Sequence, residues 1–235
     1  MRRLLSFAGA FALMAVMAAP SVSEAQQAVT FSVGGFVPRG ETSRDVNDVL
    51  YNNLNSGNDS LLFDVGDFNG ATVNGEWLIG LNDFIDAGLG VGFYSKTVPS
   101  VYAYVENSNG QEIEQDLKLR IVPFTATVRF LPIGRHDAFT PYIGAGVGVM
   151  RFRYEETGEF VNVNDRVYNA TFTGTGAATG PVILGGARFP VGSVDIGGEA
   201  RYQRAVGDIS KEQNFLGSKI DLGGMSYLLT FTVKF

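Results

Sequence analysis

The chain has 235 residues, a formal net charge of −6, 30 glycines, 8 prolines and no cysteine. The missing cysteines exclude disulfide bonds and thiolate metal sites. The acidic balance argues against nucleic acid as a partner.

The first 25 residues have the pattern of a secretory signal peptide. Arg2 and Arg3 precede an apolar run over residues 4–18, and small residues follow up to Ala25. This run is shorter than the roughly 20 apolar residues that span a bilayer, so a retained membrane helix is the weaker alternative. We expect cleavage after Ala25 and a single mature domain over residues 26–235.

Beyond the leader, apolar and polar residues alternate in eight segments, which is the pattern of half-buried strands. The segments are Val29–Val37, Thr72–Leu81, Ile85–Tyr94, Arg120–Leu131, Thr140–Phe152, Gly180–Phe189, Val194–Gln203 and Leu222–Phe235. Long polar connections (38–71, 95–119, 153–179 and 204–221) alternate with short ones (82–84, 132–138 and 190–192). This asymmetry predicts an all-β fold, an eight-stranded antiparallel transmembrane up-and-down β-barrel with short periplasmic turns and long extracellular loops.

The two faces of each segment differ in chemistry. In the third segment Leu89 and Phe93 share one face, whereas Asp86 and Gly90 share the other. A soluble lipocalin-like barrel also has eight strands, but it would carry its apolar residues inside. Glycine and charge cannot form such a core, so we expect the apolar face to contact lipid and the charges to line the lumen.

The first long connection contains one candidate helix. Residues Ser43–Leu54 are amphipathic, and Ser43 is expected to cap the helix while Val46, Val49 and Leu50 pack on the base of the loop. This role would be structural.

The last segment shows the alternation most clearly. Its residues on one face are Tyr227, Leu229, Phe231, Val233 and Phe235. Together with residues 141–148 and 198–202, this segment resembles the small eight-stranded outer-membrane barrel superfamily, which includes the transmembrane domain of outer-membrane protein A and the outer-membrane protein W family. The resemblance implies location in the bacterial outer membrane and recognition of the terminal strand by the barrel-assembly machinery. Because the chain stops at this strand, we do not expect the peptidoglycan-binding domain that many outer-membrane protein A relatives carry after the barrel.

The inward face is expected to carry a network of charges. Its members are Glu76, Asp86, Arg129, Arg188, Asp195, Glu199 and Arg201. An eight-stranded lumen is just wide enough for side chains, and unpaired buried charge is costly. We therefore predict ion pairs that close the lumen, with Arg188 directly opposite Asp195 across the turn at 190–192.

Two alternatives to a closed lumen remain. The charges could simply hydrate a narrow interior. The resemblance to the protein W family would also allow a narrow channel or carrier for small or hydrophobic solutes, and Gly180 and Pro181 mark the place where such a barrel could open sideways.

Four basic residues are expected to point outward just above the lipid-facing band on the loop side. A turn centred between residues 135 and 136 would pair Arg120 with Arg151 and Lys118 with Arg153, and like charges in opposite positions repel. Lipopolysaccharide phosphates at this height would relieve the repulsion through charge-assisted contacts. The alternative is that these residues are solvated strand ends, neutralised by neighbouring glutamates.

Neither catalysis nor a cofactor is expected. The one histidine, His136, lies in a short turn on the periplasmic side, so histidine-dependent chemistry on outer-leaflet lipid would lack its general base. The acidic loops lack the twelve-residue calcium-loop spacing, so we expect no metal site. The sequence thus favours a structural or surface-interaction role, and no motif specifies an extracellular ligand.

Overall fold

The computed structural model describes residues 26–107, 109–135, 137–162, 164, 166–209 and 215–235. The expected signal peptide and His136 lie outside the described residues. The strands are β1 (Gln27–Pro38), β2 (Leu61–Leu62), β3 (Gly70–Asn82), β4 (Ile85–Glu106), β5 (Glu112–Phe130), β6 (Thr140–Val161), β7 (Val167–Val191), β8 (Val194–Gln203), β9 (Val206–Asp208), β10 (Lys219–Asp221) and β11 (Gly224–Lys234). Helix α1 spans Val49–Asn55, and short 3-10 turns span Glu41–Ser43, Gly57–Asp59 and Val65–Phe68.

Eight of these strands form a closed antiparallel ring in the order β1-β3-β4-β5-β6-β7-β8-β11. Pairing of β11 with β1 closes the ring, with Phe31 opposite Phe231. The short strand β2 adds to the edge of β4, and β9 pairs with β10 in a separate hairpin. The predicted eight-stranded antiparallel barrel is therefore confirmed.

The directions in which the side chains point exclude a soluble barrel for the part of the molecule that the eight predicted segments form. Leu89 and Val147 point outward with 58% and 60% exposure, whereas Arg129 points inward with 1%. On β5 the outward apolar positions run from Val122 to Phe130, about the 9–11 residues that a tilted transmembrane strand needs. This outward apolar band fits a bilayer, as predicted from the alternation.

Four strands are longer than predicted. Residues 95–106 and 112–119, expected to form a loop, continue β4 and β5, and residues 153–161 and 167–179 continue β6 and β7. The expectation of polar loops there is wrong, because alternation continues with its chemistry reversed. On this part of β5 the buried apolar residues are Ile113, Leu117 and Leu119. We call this extension of the barrel, with the segments it holds, the outer part, and the remainder the spanning part.

Helix α1 begins later than predicted, at Val49. Asp48 is its cap, because the Asp48 carboxylate accepts hydrogen bonds from the Leu50 and Tyr51 amides at 3.0 and 3.2 Å. Val49 and Leu50 are buried, but Val46 is 67% exposed, so its predicted packing is wrong. Among the described residues, no helix is long and apolar enough to cross a membrane.

Candidate functional site

Four charged side chains from three strands meet in the middle of the lumen. They are Glu76 on β3, Arg129 on β5, and Glu199 and Arg201 on β8, and we call them the central charge cluster. Arg129 Nη2 binds Glu76 Oε2 and lies 3.0 Å from Glu199 Oε2. Arg201 Nη2 lies 3.1 Å from Glu76 Oε2 and 2.7 Å from Glu199 Oε1. Each arginine therefore bridges both carboxylates; three of these four pairs join different strands across the lumen, and the Arg201–Glu199 pair lies within β8.

Neutral polar groups complete this cluster. The Tyr142 hydroxyl donates to Glu199 Oε2 at 3.0 Å, and the Thr127 hydroxyl donates to Glu76 Oε1 at 3.0 Å. The Arg129 guanidinium also lies 4.8 Å from the centre of the Tyr142 ring. Such contacts reduce the cost of burying charge. The alternation of the sequence places Tyr142 on the inward face but does not indicate that its hydroxyl takes part in the charge network.

Glycines on the facing strands leave room for these long side chains. A Cβ atom at Gly88 would lie 2.5 Å from Glu76 Oε1, and one at Gly144 would lie 3.1 Å from Arg129 Cγ. A side chain at either position would displace the charged group opposite. The glycine-rich inward face of β4 and β6 is therefore matched to the charges on β3 and β5.

A second group of charges lies at the turn side of the lumen. Asp86 accepts from Arg188 Nη2 at 2.9 Å and from Arg135 Nη2 at 3.0 Å. Asp195 binds Lys234 Nζ at 2.7 Å. Alternation places Lys234 on the inward face, but Arg135 lies between strands, where no periodic pattern identifies it.

The predicted Arg188–Asp195 pair is wrong. Arg188 lies opposite Gly197, and Asp195 lies opposite Pro190. The hairpin turn is formed by Gly192 and Ser193, because Gly192 has a φ of +68°, which tight two-residue hairpins require. The turn is thus one residue further along the chain than assumed, and the cross-strand partner of each residue shifts by two.

The space left in the spanning part is small. One cavity of about 20 Å³ lies at the turn side, next to Asp86 and Lys234, and another of about 20 Å³ lies above the central charge cluster, between Arg201 and Tyr94. Each is large enough for about one water molecule. At these two places the side chains of the lumen leave little free space.

Above the cluster the interior becomes apolar. We call the buried residues there the apolar plug; they are Phe36, Val49, Leu50, Leu61, Phe68, Tyr94, Val98, Leu117, Leu119, Ile121, Met150, Phe152, Tyr154, Ala178, Val182, Ala205, Ile209, Phe215, Ile220 and Leu222. They come from the extended strands, from the end of β1, from the first long connection with α1, and from the segment before β11. The loop that carries α1 thus folds into the mouth of the barrel.

A buried ion pair holds this loop in place. Arg44 Nη1 donates to both carboxylate oxygens of Asp48 at 3.0 and 3.1 Å, and the Asp221 amide donates to Asp48 Oδ2 at 2.6 Å. Asp221 in turn binds Arg39 at 2.6 Å. Burial raises the pKa of Asp48, although the nearby Arg44 opposes that shift. These contacts join α1 to β10 and so to the barrel rim.

Comparison with known proteins supports the fold. No family model matches the sequence, and no curated protein matches it. The outer membrane protein OprG of Pseudomonas aeruginosa matches with a TM-score of 0.54 and 12% identity, over 90% of this chain and 96% of that one. Neisserial surface protein A gives 0.48 and 14% over 89% and 97%, and E. coli outer membrane protein W gives 0.42 and 13% over 91% and 100%.

The chain has the fold of the small outer-membrane β-barrels. The likeness to OprG shows this architecture, and the outward apolar band shows that it is built to contact lipid. The predicted barrel fold is therefore shown, with an outward face that fits membrane lipid.

The four basic residues lie on the outer surface, just above the apolar band, but their predicted pairing is wrong. Arg120 lies opposite Arg153, Arg151 lies opposite Val122, and Lys118 lies opposite Glu155. The turn between β5 and β6 is again one residue further along the chain than assumed. Arg153 is partly neutralised by Glu155 at 2.8 Å, whereas the Arg120 guanidinium lies 6.0 Å from the Phe93 ring.

The remaining predicted positions lie on the surface. The terminal-strand residues Tyr227, Leu229, Phe231, Val233 and Phe235 are all exposed on the outside of the barrel.

At the expected side opening, the amide of Arg204 donates to the Pro181 carbonyl at 3.2 Å, and a Cβ atom at Gly180 would lie 1.7 Å from the Arg204 carbonyl oxygen. The chain therefore passes directly beside Gly180, and the barrel wall is continuous there.

Proposed function

We propose that this protein is a closed outer-membrane barrel with a structural or surface-interaction role, and that it is not an enzyme. Ion pairs close the spanning part of the lumen, and the apolar plug closes the outer part. The extended strands then present a stable platform at the cell surface.

One observation carries this proposal: the central charge cluster joins strands on opposite sides of the lumen. Arg129 on β5 and Arg201 on β8 each contact both Glu76 on β3 and Glu199. Fixed pairs of this kind leave no continuous path for hydrated solutes, and the adjacent cavities of about 20 Å³ have room for about one water molecule each. The alternative of a narrow channel or carrier requires that these pairs separate.

Recording from planar bilayers tests the closure. The wild-type barrel is expected to show no steady conductance. The plug is a second barrier in series, so Arg129→Ala should raise conductance less than Arg129→Ala combined with Leu50→Ser. Steady large conductance in the wild type, unaltered by Arg129→Ala or Arg188→Ala, would contradict closure. Heat modifiability on gels verifies that each variant is folded.

We also propose that Lys118, Arg120, Arg151 and Arg153 contact lipopolysaccharide phosphates. The opposed pair Arg120 and Arg153 supports this, because like charges facing each other on a strand pair repel unless an anion lies between them. Arginine suits phosphate through bidentate hydrogen bonds.

Charge reversal of Arg120 and Arg153 tests this contact. The double variant Arg120→Glu/Arg153→Glu should lose stability in membranes that contain lipopolysaccharide and change much less in phospholipid alone. Equal stability of variant and wild type in lipopolysaccharide would refute the contact. Arg166→Glu, an exposed residue in the connection between β6 and β7, is a control for charge reversal away from these four residues.

Two further proposals concern biogenesis. Residues 1–25 are removed on export, and the outward residues of β11 with Phe235 are recognised by the barrel-assembly machinery. Their exposure on one face supports recognition of that face. Phe235→Ala should slow insertion by the purified machinery, while Thr232→Ser on the inward face should not.

A further inference from the structure

A cavity of about 170 Å³ opens in the outer part, at the extracellular end of the molecule. A designed protein cavity of about 150 Å³ holds benzene, so this one is large enough for a small organic molecule. Asn53, Gln115 and Glu156 at one end of its lining are buried, whereas Asp59 and Tyr168 at the other end are exposed. The cavity therefore has a buried floor and a mouth that reaches water.

The floor holds a carboxylate without a cationic partner. Glu156 Oε1 accepts from Asn53 Nδ2 at 2.6 Å and from the Tyr154 hydroxyl at 2.9 Å. Among the described residues, Glu156 has no ion pair and its Oε2 accepts no hydrogen bond. Desolvation raises the pKa of Glu156, although Asn53 and Tyr154 oppose the shift. A buried carboxylate of this kind is costly when ionised, unless a cation lies beside it.

The walls of the cavity are aromatic. Tyr102, Phe160, Tyr168 and Phe172 line it, and Phe160 packs against Phe172 with ring centres 4.7 Å apart. Burial raises the pKa of Tyr102, and the carboxylates of Asp59 and Glu156 add to that effect. The carboxylates of Asp59 and Glu156 therefore both contribute negative charge to this cavity. No lysine or arginine is among the described residues that line it.

We propose that this cavity binds a small organic cation, an alkylammonium or quaternary ammonium group, between its aromatic walls and the Glu156 carboxylate. Aromatic faces attract weakly hydrated organic cations, and a carboxylate at the end of the cavity supplies the opposite charge. An apolar ligand would fill the same volume but would leave Glu156 without a counter-charge. The site does not depend on whether the lumen is closed, because it lies outside the spanning part.

Calorimetry with the folded full-length barrel in detergent tests the proposal, with choline as the probe. Its uncharged isostere 3,3-dimethylbutan-1-ol has the same shape, so we expect choline to bind at least tenfold more tightly. Glu156→Gln should weaken choline binding at least tenfold and leave the isostere unaffected. Phe172→Leu should weaken choline more than the isostere, because it removes an aromatic face without emptying the space.

Glu155→Gln is the matched control. It removes one carboxylate from the adjacent residue, on the outer face of the same strand, and should leave choline binding unchanged. Equal binding of choline and the isostere would overturn the assignment to a cation and identify an apolar site instead. Failure of choline to bind at any concentration, or equal loss in Glu155→Gln and Glu156→Gln, would also overturn it. A single cooperative thermal unfolding transition in each variant shows that the variant is folded and that the loss of binding is local.

Discussion

Strand β5 passes through both parts of the molecule and sorts its side chains in opposite ways. In the spanning part Thr127 and Arg129 are buried inside and Val128 is exposed outside. In the outer part Leu119 is buried inside and Asp116 is exposed outside. The two-residue alternation of the strand is the same in both, but the apolar face changes sides.

The surrounding medium explains this reversal. Lipid accepts apolar side chains and leaves a narrow interior for polar ones, whereas water accepts polar side chains and drives apolar ones inward. On β5 the change lies between Ile121, which is inside, and Val122, which is outside. On β6 it lies between Val149 and Arg151, and Arg151 is the cross-strand partner of Val122. The two strands therefore place the outer membrane boundary at nearly the same level, which is that of the basic residues.

The largest effect is expected from breaking the polar interior of the spanning part. Arg129→Met leaves Glu76 and Glu199 without one of their two cations and should cost about 3–5 kcal/mol of unfolding free energy. Urea unfolding in lipid vesicles measures it. Arg153→Met, on the outer surface with its partner Glu155, should cost at most about 1 kcal/mol. Similar losses in the two variants would mean that the central charge cluster does not stabilise the barrel.

Removal of apolar side-chain volume sharpens the comparison between the outer part and the spanning part. Leu119→Ala empties part of the apolar plug and should cost about 2–5 kcal/mol. Leu89→Ala makes the same change on the lipid-facing surface and should cost less, since acyl chains can occupy the vacated space. The two unfolding free energies are measured under the same conditions. If Leu89→Ala were the more costly change, the outer part would not contain a packed core.

Added charge on the outer surface distinguishes the two media directly. Val128→Arg faces lipid and should cost about 2–4 kcal/mol if it lies near the bilayer midplane, and less near the interface. Asp116→Arg faces water in the outer part and should change stability by no more than about 0.5 kcal/mol. Unfolding in vesicles measures both. A negligible cost for Val128→Arg would show that the lipid-facing band lies elsewhere on β5.

The strands and the inward set of charges followed from the sequence because alternation is a local property. Arg129, Glu199 and Arg201 are inward by their position in the strand alone. Their partners are not local: Arg129 meets Glu76 and Glu199 across the lumen. Cross-strand partners also depend on the turn, and a shift of one residue at Gly192 moved Arg188 from Asp195 to Gly197.

The sequence predicts loops in place of the outer part for a different reason. If the apolar face is the lipid-facing one throughout, each predicted strand ends where that face becomes polar, near Arg120 on β5. Leu117 and Leu119 continue the alternation on the other face, so they could have been recognised if a change of medium had been allowed. The position of α1 depends on Asp48, whose role as a cap requires the distant Asp221 amide and the buried Arg44.

The smallest effect is expected from Glu156. Burial raises the pKa of its carboxyl group above the ordinary value of 4.5. Between that value and the raised one, the folded protein keeps a proton that the unfolded chain has released, so stability should fall as pH rises through this window. Glu156→Gln should remove this part of the slope, while Glu155→Gln should retain it. Asp48, also raised by burial, contributes the same slope to all three proteins. The difference between their urea midpoints from pH 4 to 8 therefore isolates Glu156, and parallel curves would show that its carboxyl group titrates like one in water.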